Sequence, residues 1–160
     1  MKTFKLKRGP LLSWDIYATY LAEQAINFNK ELEISILKNF EDQFNWLIDT
    51  ESLLKCRDYD ALVLTNYNQE IQWVNKGFTR MTGYPAKFAK GRMPKFLQGE
   101  ATSKAGVRNI KSHLKRGVEV KETLVNYRKN GDTYNCEIHI LPLKDKNETI
   151  THLLAMEKVV

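Results

Sequence analysis

Apolar residues recur at helical spacing over the first third of the chain. Between Ser13 and about Leu54 there is neither proline nor glycine. Apolar residues at i, i+3 and i+4 indicate an amphipathic helix. We expect two helices, or one helix with a break near Asn27–Lys30, where two asparagines weaken helix propensity. A short linker or last helical turn is expected to begin at Thr50. The first stripe consists of Trp14, Tyr17, Leu21, Ala25 and Phe28, and the second of Ile36, Leu37, Phe40, Phe44, Leu47 and Ile48.

From about residue 58 this spacing gives way to short apolar runs separated by turn residues. Such runs, bounded by Gly, Asn or Asp, indicate β-strands, and Asn130-Gly131 is a strong hairpin signal between two of them. The predicted strands are Ala61–Leu64, Ile71–Val74, Val118–Tyr127, Thr133–Leu143 and Ile150–Val159, and the predicted helices are Lys76–Met81 and Ser103–Arg116, with a loop and short helix at Gly91–Gly99.

The order of these elements, β-β-α-α-α-β-β-β, lacks the βαβ alternation of a parallel sheet. We therefore predict an α+β fold with a five-stranded antiparallel sheet and short connecting helices, preceded by a helical extension. Residues 1–57 are expected to form this extension, which caps the sheet or dimerises. Residues 58–160 are expected to form the domain itself.

Charge and cysteine content restrict the cellular location and the partners that we expect, but they do not indicate a ligand. The net charge is +6, but the lysines are scattered apart from a basic arm at Lys2, Lys5, Lys7 and Arg8. We interpret the arm as a solvated terminus and expect no nucleic-acid partner, because aromatic and basic residues do not interleave. The two cysteines favour free thiols, and no apolar run is long enough for a membrane span. These features predict a cytoplasmic protein without a membrane partner.

Three motifs resemble the PAS family, and in particular its LOV (light, oxygen, voltage) subfamily. Val74–Phe78 followed by Met81–Tyr84 resembles the opening of the PAS domain, where a strand ends in an asparagine before a short helix. Gly91–Gly99 reads Gly-Arg-Met-Pro-Lys-Phe-Leu-Gln-Gly and resembles the LOV signature Gly-Arg-Asn-Cys-Arg-Phe-Leu-Gln-Gly. Asn126–Gly131 resembles the Asn-Tyr…Gly motif of the following hairpin. The resemblance implies a PAS fold over residues 58–160.

The LOV signature departs from the family pattern at the residues that do the photochemistry. Pro94 stands where photoactive members have the cysteine that forms a thioether with flavin, and proline supplies no nucleophile. Met93 replaces the preceding asparagine. Lys95 and Lys111 stand where the resemblance implies arginines that meet the flavin phosphate, and lysine keeps the charge but loses the bidentate geometry.

The remaining implied flavin contacts are partly kept. Gln98 and Asn126 match the family, whereas Cys136 replaces an asparagine that reads the flavin ring and Glu157 replaces the glutamine that responds to light. Each lost hydrogen bond weakens flavin affinity. The full set of positions that the resemblance assigns to a flavin is Asn75, Met93, Pro94, Lys95, Gln98, Lys111, Asn126, Cys136 and Glu157.

Two functions remain open on this basis. The first is a non-enzymatic PAS regulatory module that acts in signal transduction by forming a homodimer or by docking a signalling partner. The second is a cysteine-less LOV flavoprotein that senses light or redox state through FMN or FAD without an adduct. We expect no enzyme and no metal site, because neither a nucleophile–base set nor ligand spacing among the histidines is present. The expected interface residues are Trp14, Tyr17, Leu21, Phe28, Phe40, Phe44 and Leu47.

Overall fold

The computed structural model describes residues 10–160, so the basic arm between Lys2 and Arg8 lies outside the described residues. The described chain opens with a 35-residue helix, α1, and a short helix, α2. The elements are α1 (Pro10–Phe44), α2 (Thr50–Cys56), β1 (Ala61–Asn66), β2 (Ile71–Val74), α3 (Lys76–Thr82), α4 (Ala86–Ala89), a 3-10 helix (Pro94–Leu97), α5 (Lys104–Lys115), β3 (Val120–Tyr127), β4 (Thr133–Lys144) and β5 (Ile150–Val159).

The expected helix break near Asn27–Lys30 is wrong, because α1 continues through it to Phe44. An asparagine inside a helix costs only about 0.7 kcal/mol, which flanking good helix formers offset. The chain turns instead at Asn45, whose φ of 52° lies in the left-handed region that asparagine tolerates. Asp49 then starts α2 by accepting hydrogen bonds from the next turn, so the expected linker at Thr50 is a capped helix.

The five strands form one antiparallel sheet in the order β2-β1-β5-β4-β3, which confirms the predicted fold class. The last strand of the chain therefore lies in the middle of the sheet, between β1 and β4. Alternate residues of β5 face opposite sides: Leu154 and Met156 belong to one core cluster, and Ala155 packs against the other. A residue near the end of β5 is consequently enclosed by two neighbouring strands.

The inner face of the sheet packs against α3, α4 and α5. Its centre is apolar and includes Tyr134 and Cys136. Gly77, at the start of α3, lies so close to the backbone at Asp60 that a Cβ atom there would come within 1.7 Å of the Asp60 carbonyl oxygen. The buried residues on this face are Ala61, Val63, Ile71, Val74, Phe78, Met81, Ala89, Leu97, Leu124, Tyr134, Cys136 and Ile138.

The outer face of the sheet is covered by the second half of α1 and by α2. Leu37 of α1 is fully buried there, and the rings of Phe40, Phe44 and Trp46 surround His152 of β5. The Phe44 and His152 rings are 4.3 Å apart, and the Trp46 indole N–H donates a 2.9 Å hydrogen bond to a threonine of β5. We call Phe40, Phe44, Trp46 and His152 the aromatic cluster.

The expected interface residues therefore separate into two groups. Phe40 and Phe44 are half-buried against the chain's own sheet, as a cap would be. Leu47 is 62% exposed, just beyond the end of α1. Trp14, Tyr17, Leu21 and Phe28 are all exposed on the first half of α1. Within residues 10–160, no helix combines the length and the apolar character that a membrane span requires.

Candidate functional site

A small cavity lies between the inner face of the sheet and the second half of α5. Its volume is about 100 Å³. Most of its wall is apolar. The polar lining residues come from different elements: Thr65 from β1, Gln69 from the turn before β2, Gln98 from the end of the 3-10 helix, and Glu157 from β5. Its lining residues are Val63, Thr65, Gln69, Pro94, Gln98, Ile110, Leu114, Leu124, Ile138, Ile140, Leu153, Ala155 and Glu157.

Glu157 is the one acidic residue in this lining, and it is only 4% exposed. Its Cα pairs with Ala61 on one side and Ile138 on the other, so the central position of β5 keeps its carboxyl group away from water. This burial raises the pKa of Glu157 from its ordinary 4.5 to about 7. The carboxyl group can therefore change its protonation state near neutral pH.

Two further polar groups are buried next to Glu157. The Cys136 thiol lies 3.9 Å from a Glu157 carboxyl oxygen, and burial together with that carboxyl raises the pKa of the thiol. The phenol oxygen of Tyr134 is buried, and burial also raises its pKa. In the part of the chain that the structure describes, neither this oxygen nor the hydroxyl of Thr65 has a hydrogen-bond partner. A buried polar group without such a partner costs about 1–3 kcal/mol.

Three of the residues that the resemblance assigns to flavin line the cavity: Pro94, Gln98 and Glu157. Asn126 on β3 and Cys136 on β4 are buried, but they do not line the cavity. Met93, 48% exposed, also lies outside the lining.

An open basin of about 560 Å³ adjoins the cavity at Gln98. Lys95 lines it, whereas Lys111 is exposed on α5 and does not. Lys104 and Arg108 line the basin in its place. The sequence reasoning missed these two residues, although both lie in the first turns of an amphipathic helix that follows the signature.

Asn75 does not reach the cavity at all. Its side-chain oxygen accepts hydrogen bonds from the backbone N–H of Phe78 at 3.0 Å, which caps α3, and of Leu62 at 2.9 Å. Its side-chain nitrogen donates a 2.8 Å hydrogen bond to Glu33 of α1. Asn75 therefore joins β1, α3 and α1 on the outer side of the domain.

Glu33 makes contacts that the sequence reasoning missed. One of its carboxylate oxygens accepts the bond from Asn75, and the other accepts a 2.9 Å hydrogen bond from the Tyr59 hydroxyl. Burial, and after it the Glu33 carboxylate, raises the pKa of Tyr59. The only sequence signal for this site is an acidic residue between Leu32 and Ile34 on a helix, which does not reveal its partners. We call Glu33, Tyr59 and Asn75 the polar clasp.

The cavity is too small to enclose an isoalloxazine ring. Pockets for ligands of this size enclose roughly 300–1,000 Å³, whereas the cavity holds about 100 Å³. Pro94 lines it without a nucleophile, and Glu157 would place a titratable carboxyl group against the ring. The basin has Lys95, Lys104 and Arg108 against one carboxylate, Glu100, and this excess of cations suits an anionic phosphate. Among residues 10–160 there is no cluster of three or more His, Cys, Asp or Glu side chains that could hold a metal ion.

Comparisons with known proteins agree with the fold. The profile of a family described as PAS domain matches residues 60–157. A blue-light-activated histidine kinase of Brucella canis is 33% identical over 87 residues, which make up 54% of this chain and 18% of the kinase. The LOV domain of a blue-light-activated histidine kinase from Erythrobacter litoralis has a solved structure with a TM-score of 0.61 and 29% identity, covering 65% of this chain and 98% of that domain. A light-oxygen-voltage domain examined with a flavin analogue gives a TM-score of 0.65 at 26% identity, covering 71% of this chain and 86% of that one.

These relatives correct one expectation. The prediction that the protein is not an enzyme is wrong, because its curated relatives are named as histidine kinases. The matched segments span only 18% of the Brucella canis kinase and 29% of a second kinase, from Erythrobacter litoralis. The shared part is the sensory part, and the kinase activity belongs to the relatives as whole proteins.

Proposed function

The chain belongs to the PAS domain family, and from this we propose that it is a signal-transduction module that passes a change at the Glu157 cavity to helix α1. The cavity lies on the inner face of the sheet and α1 lies on the outer face. The two are separated only by the sheet itself. A structural change in the cavity therefore needs to pass through only one layer of strands to reach α1.

The polar clasp is the observation that carries this proposal. The Glu33 carboxylate of α1 accepts one hydrogen bond from Tyr59, which lies just before β1. It accepts a second hydrogen bond from Asn75, which caps α3. Hydrogen bonds to a charged carboxylate contribute about 1.5–3 kcal/mol each. A shift of β1 relative to α3 would alter both bonds together, and so would bias the position of α1.

The output of the module is proposed to be protein–protein contact through the first half of α1. Trp14 is 70% exposed and Phe28 is 64% exposed on that segment. Large exposed apolar side chains in a cluster mark interaction surfaces. A second copy of the chain or a signalling partner would cover them, and the second half of α1 would anchor them to the sheet.

Amide hydrogen exchange on two cavity variants tests this transmission. Ala155→Leu fills the cavity from β5, and Leu124→Ala enlarges it from β3. We expect both to change protection in α1 between residues 30 and 44, on the opposite face of the sheet. Val118→Ala, at an exposed apolar residue before β3, is the matched control and should leave α1 unchanged. Changes confined to β3, β5 and the loop at residues 91–99 in both variants would refute the proposal.

A second candidate function is a flavin-dependent sensor without adduct chemistry. The similarity to LOV domains and the cationic basin at Lys95, Lys104 and Arg108 favour it, whereas the volume of the cavity opposes it. A bound flavin would supply light absorption and redox chemistry, and the basin would hold its phosphate. Titration with FMN, followed by gel filtration, decides the matter. Co-elution of flavin with the protein supports this candidate, and complete separation excludes it.

A further inference from the structure

The exposed half of α1 carries a continuous heptad seam. Apolar residues follow one another there at spacings of 4, 3, 4, 3 and 4, which is the a/d pattern of a coiled coil. All of them lie within α1 and all are exposed in the single chain. We call this set the α1 seam: Trp14, Ala18, Leu21, Ala25, Phe28 and Leu32.

Except at Leu32, which lines a groove with Trp73 of β2, the α1 seam points away from the sheet that the same helix covers. At about 100° per residue, every seam residue lies within roughly 40° of the direction of Trp14. Leu37, Phe40 and Phe44, which pack on the sheet, lie roughly 80–140° round the helix. The chain's own sheet therefore cannot cover the seam while α1 keeps its present contacts.

The sizes of the seam residues select one way of pairing. Bulky residues occupy Trp14, Leu21 and Phe28, and alanine occupies the two positions between them. A parallel pair would stack each bulky residue on its own copy and leave alanine facing alanine, so overfilled and empty layers would alternate. Both kinds of layer destabilise a core.

An antiparallel pair centred on Glu23 removes this conflict. Residues at equal distances on either side of the centre then face one another. Ala18 meets Phe28 of the second copy, and Leu21 meets Ala25 of the second copy, so each of these layers holds one bulky and one small side chain. We propose that two copies of this chain associate through the α1 seam as an antiparallel two-helix coil. This inference rests on the proposed role of α1 as a contact surface, and it adds the partner, the direction and the register.

The outermost layer of the proposed coil lies next to an existing groove on the domain. Trp14 of one copy comes opposite Leu32 of the other. There a groove of about 90 Å³ opens between α1 and β2, lined in part by Leu32, Ile36 and Trp73. An indole ring is the largest apolar group in the seam, and this groove offers it apolar side chains on both walls. The coil would thus end against the sheet edge of the partner copy.

The flanking positions carry no like charges in this arrangement. Asp15 of one copy lies across from Asn29 of the other, and Tyr17 lies across from Glu31, so both pairs can form hydrogen bonds. Glu23, at the centre, is on the outer face of the helix. The pairing therefore combines complementary sizes in the seam with compatible polar groups beside it.

Spin-label distances on the full chain test the direction of pairing. Ile16 and Glu23 occupy equivalent outer positions one heptad apart, so labels there leave the α1 seam intact. Each is replaced singly by Cys in a Cys56→Ser background, because Cys56 is exposed and Cys136 is buried. In an antiparallel pair the two labels at position 16 are offset along the axis by about 21 Å, and those at position 23 by none. We therefore expect a longer distance at 16 than at 23, and equal distances would overturn the proposal in favour of a parallel pair.

A charged substitution tests whether the seam holds the copies together. Leu21→Glu should weaken self-association at least about 30-fold, as loss of a central interface residue does. Ile16→Glu, off the seam and also exposed in the single chain, should leave it unchanged. Analytical ultracentrifugation measures both variants. A parent protein that stays monomeric, or an oligomer that survives Leu21→Glu, would overturn the coil. Neither result bears on the exchange response of residues 30–44, so the signalling proposal stands or fails separately.

Discussion

The buried Glu157 should make the stability of the protein depend on pH, and Glu157→Gln should remove that dependence. The side chain is almost fully enclosed, and its folded-state pKa is about 7 against an ordinary 4.5. Below about pH 4.5 the carboxyl is protonated in both folded and unfolded states and adds no cost. As the pH rises from there to 7, the unfolded chain ionises first, so the folded state binds more protons and loses stability.

The size of this effect follows from the pKa difference. A difference of about 2.5 units corresponds to about 3 kcal/mol, at about 1.4 kcal/mol per unit. The amide group that Glu157→Gln introduces has the same shape as the protonated acid and does not ionise. The variant should therefore match the parent at low pH and exceed its stability by about 3 kcal/mol above pH 7.

Urea unfolding at about pH 5 and at about pH 8 measures this difference. Most of the 3 kcal/mol should appear as an increase in the stability of the variant over the parent between these two values. Other titrating groups are common to both proteins and cancel in the comparison. Glu137→Gln, at an ion-paired surface position on β4, is the control and should show nearly the same small effect at both pH values. An equal effect of Glu157→Gln at both pH values would refute the reasoning about burial.

Three further outcomes follow from the packing. Glu33→Ala should lower stability by about 2–4 kcal/mol and loosen α1, since it removes both carboxylate bonds of the polar clasp, and amide exchange in α1 would show this. Gly77→Ala should cost more than about 3 kcal/mol in urea unfolding, because its methyl group would overlap the carbonyl of Asp60. Burial lowers the pKa of His152, so the unfolded chain protonates first and stability should fall as the pH drops below about 6.5. His152→Phe should abolish that fall in thermal unfolding while keeping the aromatic contacts with Phe44.

Local patterns were sufficient for the sheet. Ile71–Val74 and Ile150–Val159 begin and end where the apolar runs and turn residues predict. The interruption of α1 was misplaced because a weak helix former is a poor guide to where a helix ends. The helix ends at Phe44, and just beyond it Trp46 pairs with Asp145, about 100 residues later in the chain. No local pattern contains that contact.

The candidate site was predictable only where the chain itself brings residues together. The signature loop carries Pro94 and Gln98 to the cavity, and the last strand brings Glu157, all as the resemblance implies. Asn75 was assigned to the same pocket, yet its side chain turns to Glu33, 42 residues earlier. A motif identifies the residue that ends a strand, but its partner across the fold comes from the packing of a helix outside the motif.

Because α1 is unbroken, its first half can move as one rigid lever that pivots at the polar clasp. From Glu33 to Trp14 the helix runs through 19 residues without interruption, which is about 28 Å of rigid rod. A tilt of about 10° at the clasp carries Trp14 sideways through about 5 Å. Small movements in the strands would thus be amplified at the end of the helix that carries the exposed apolar residues.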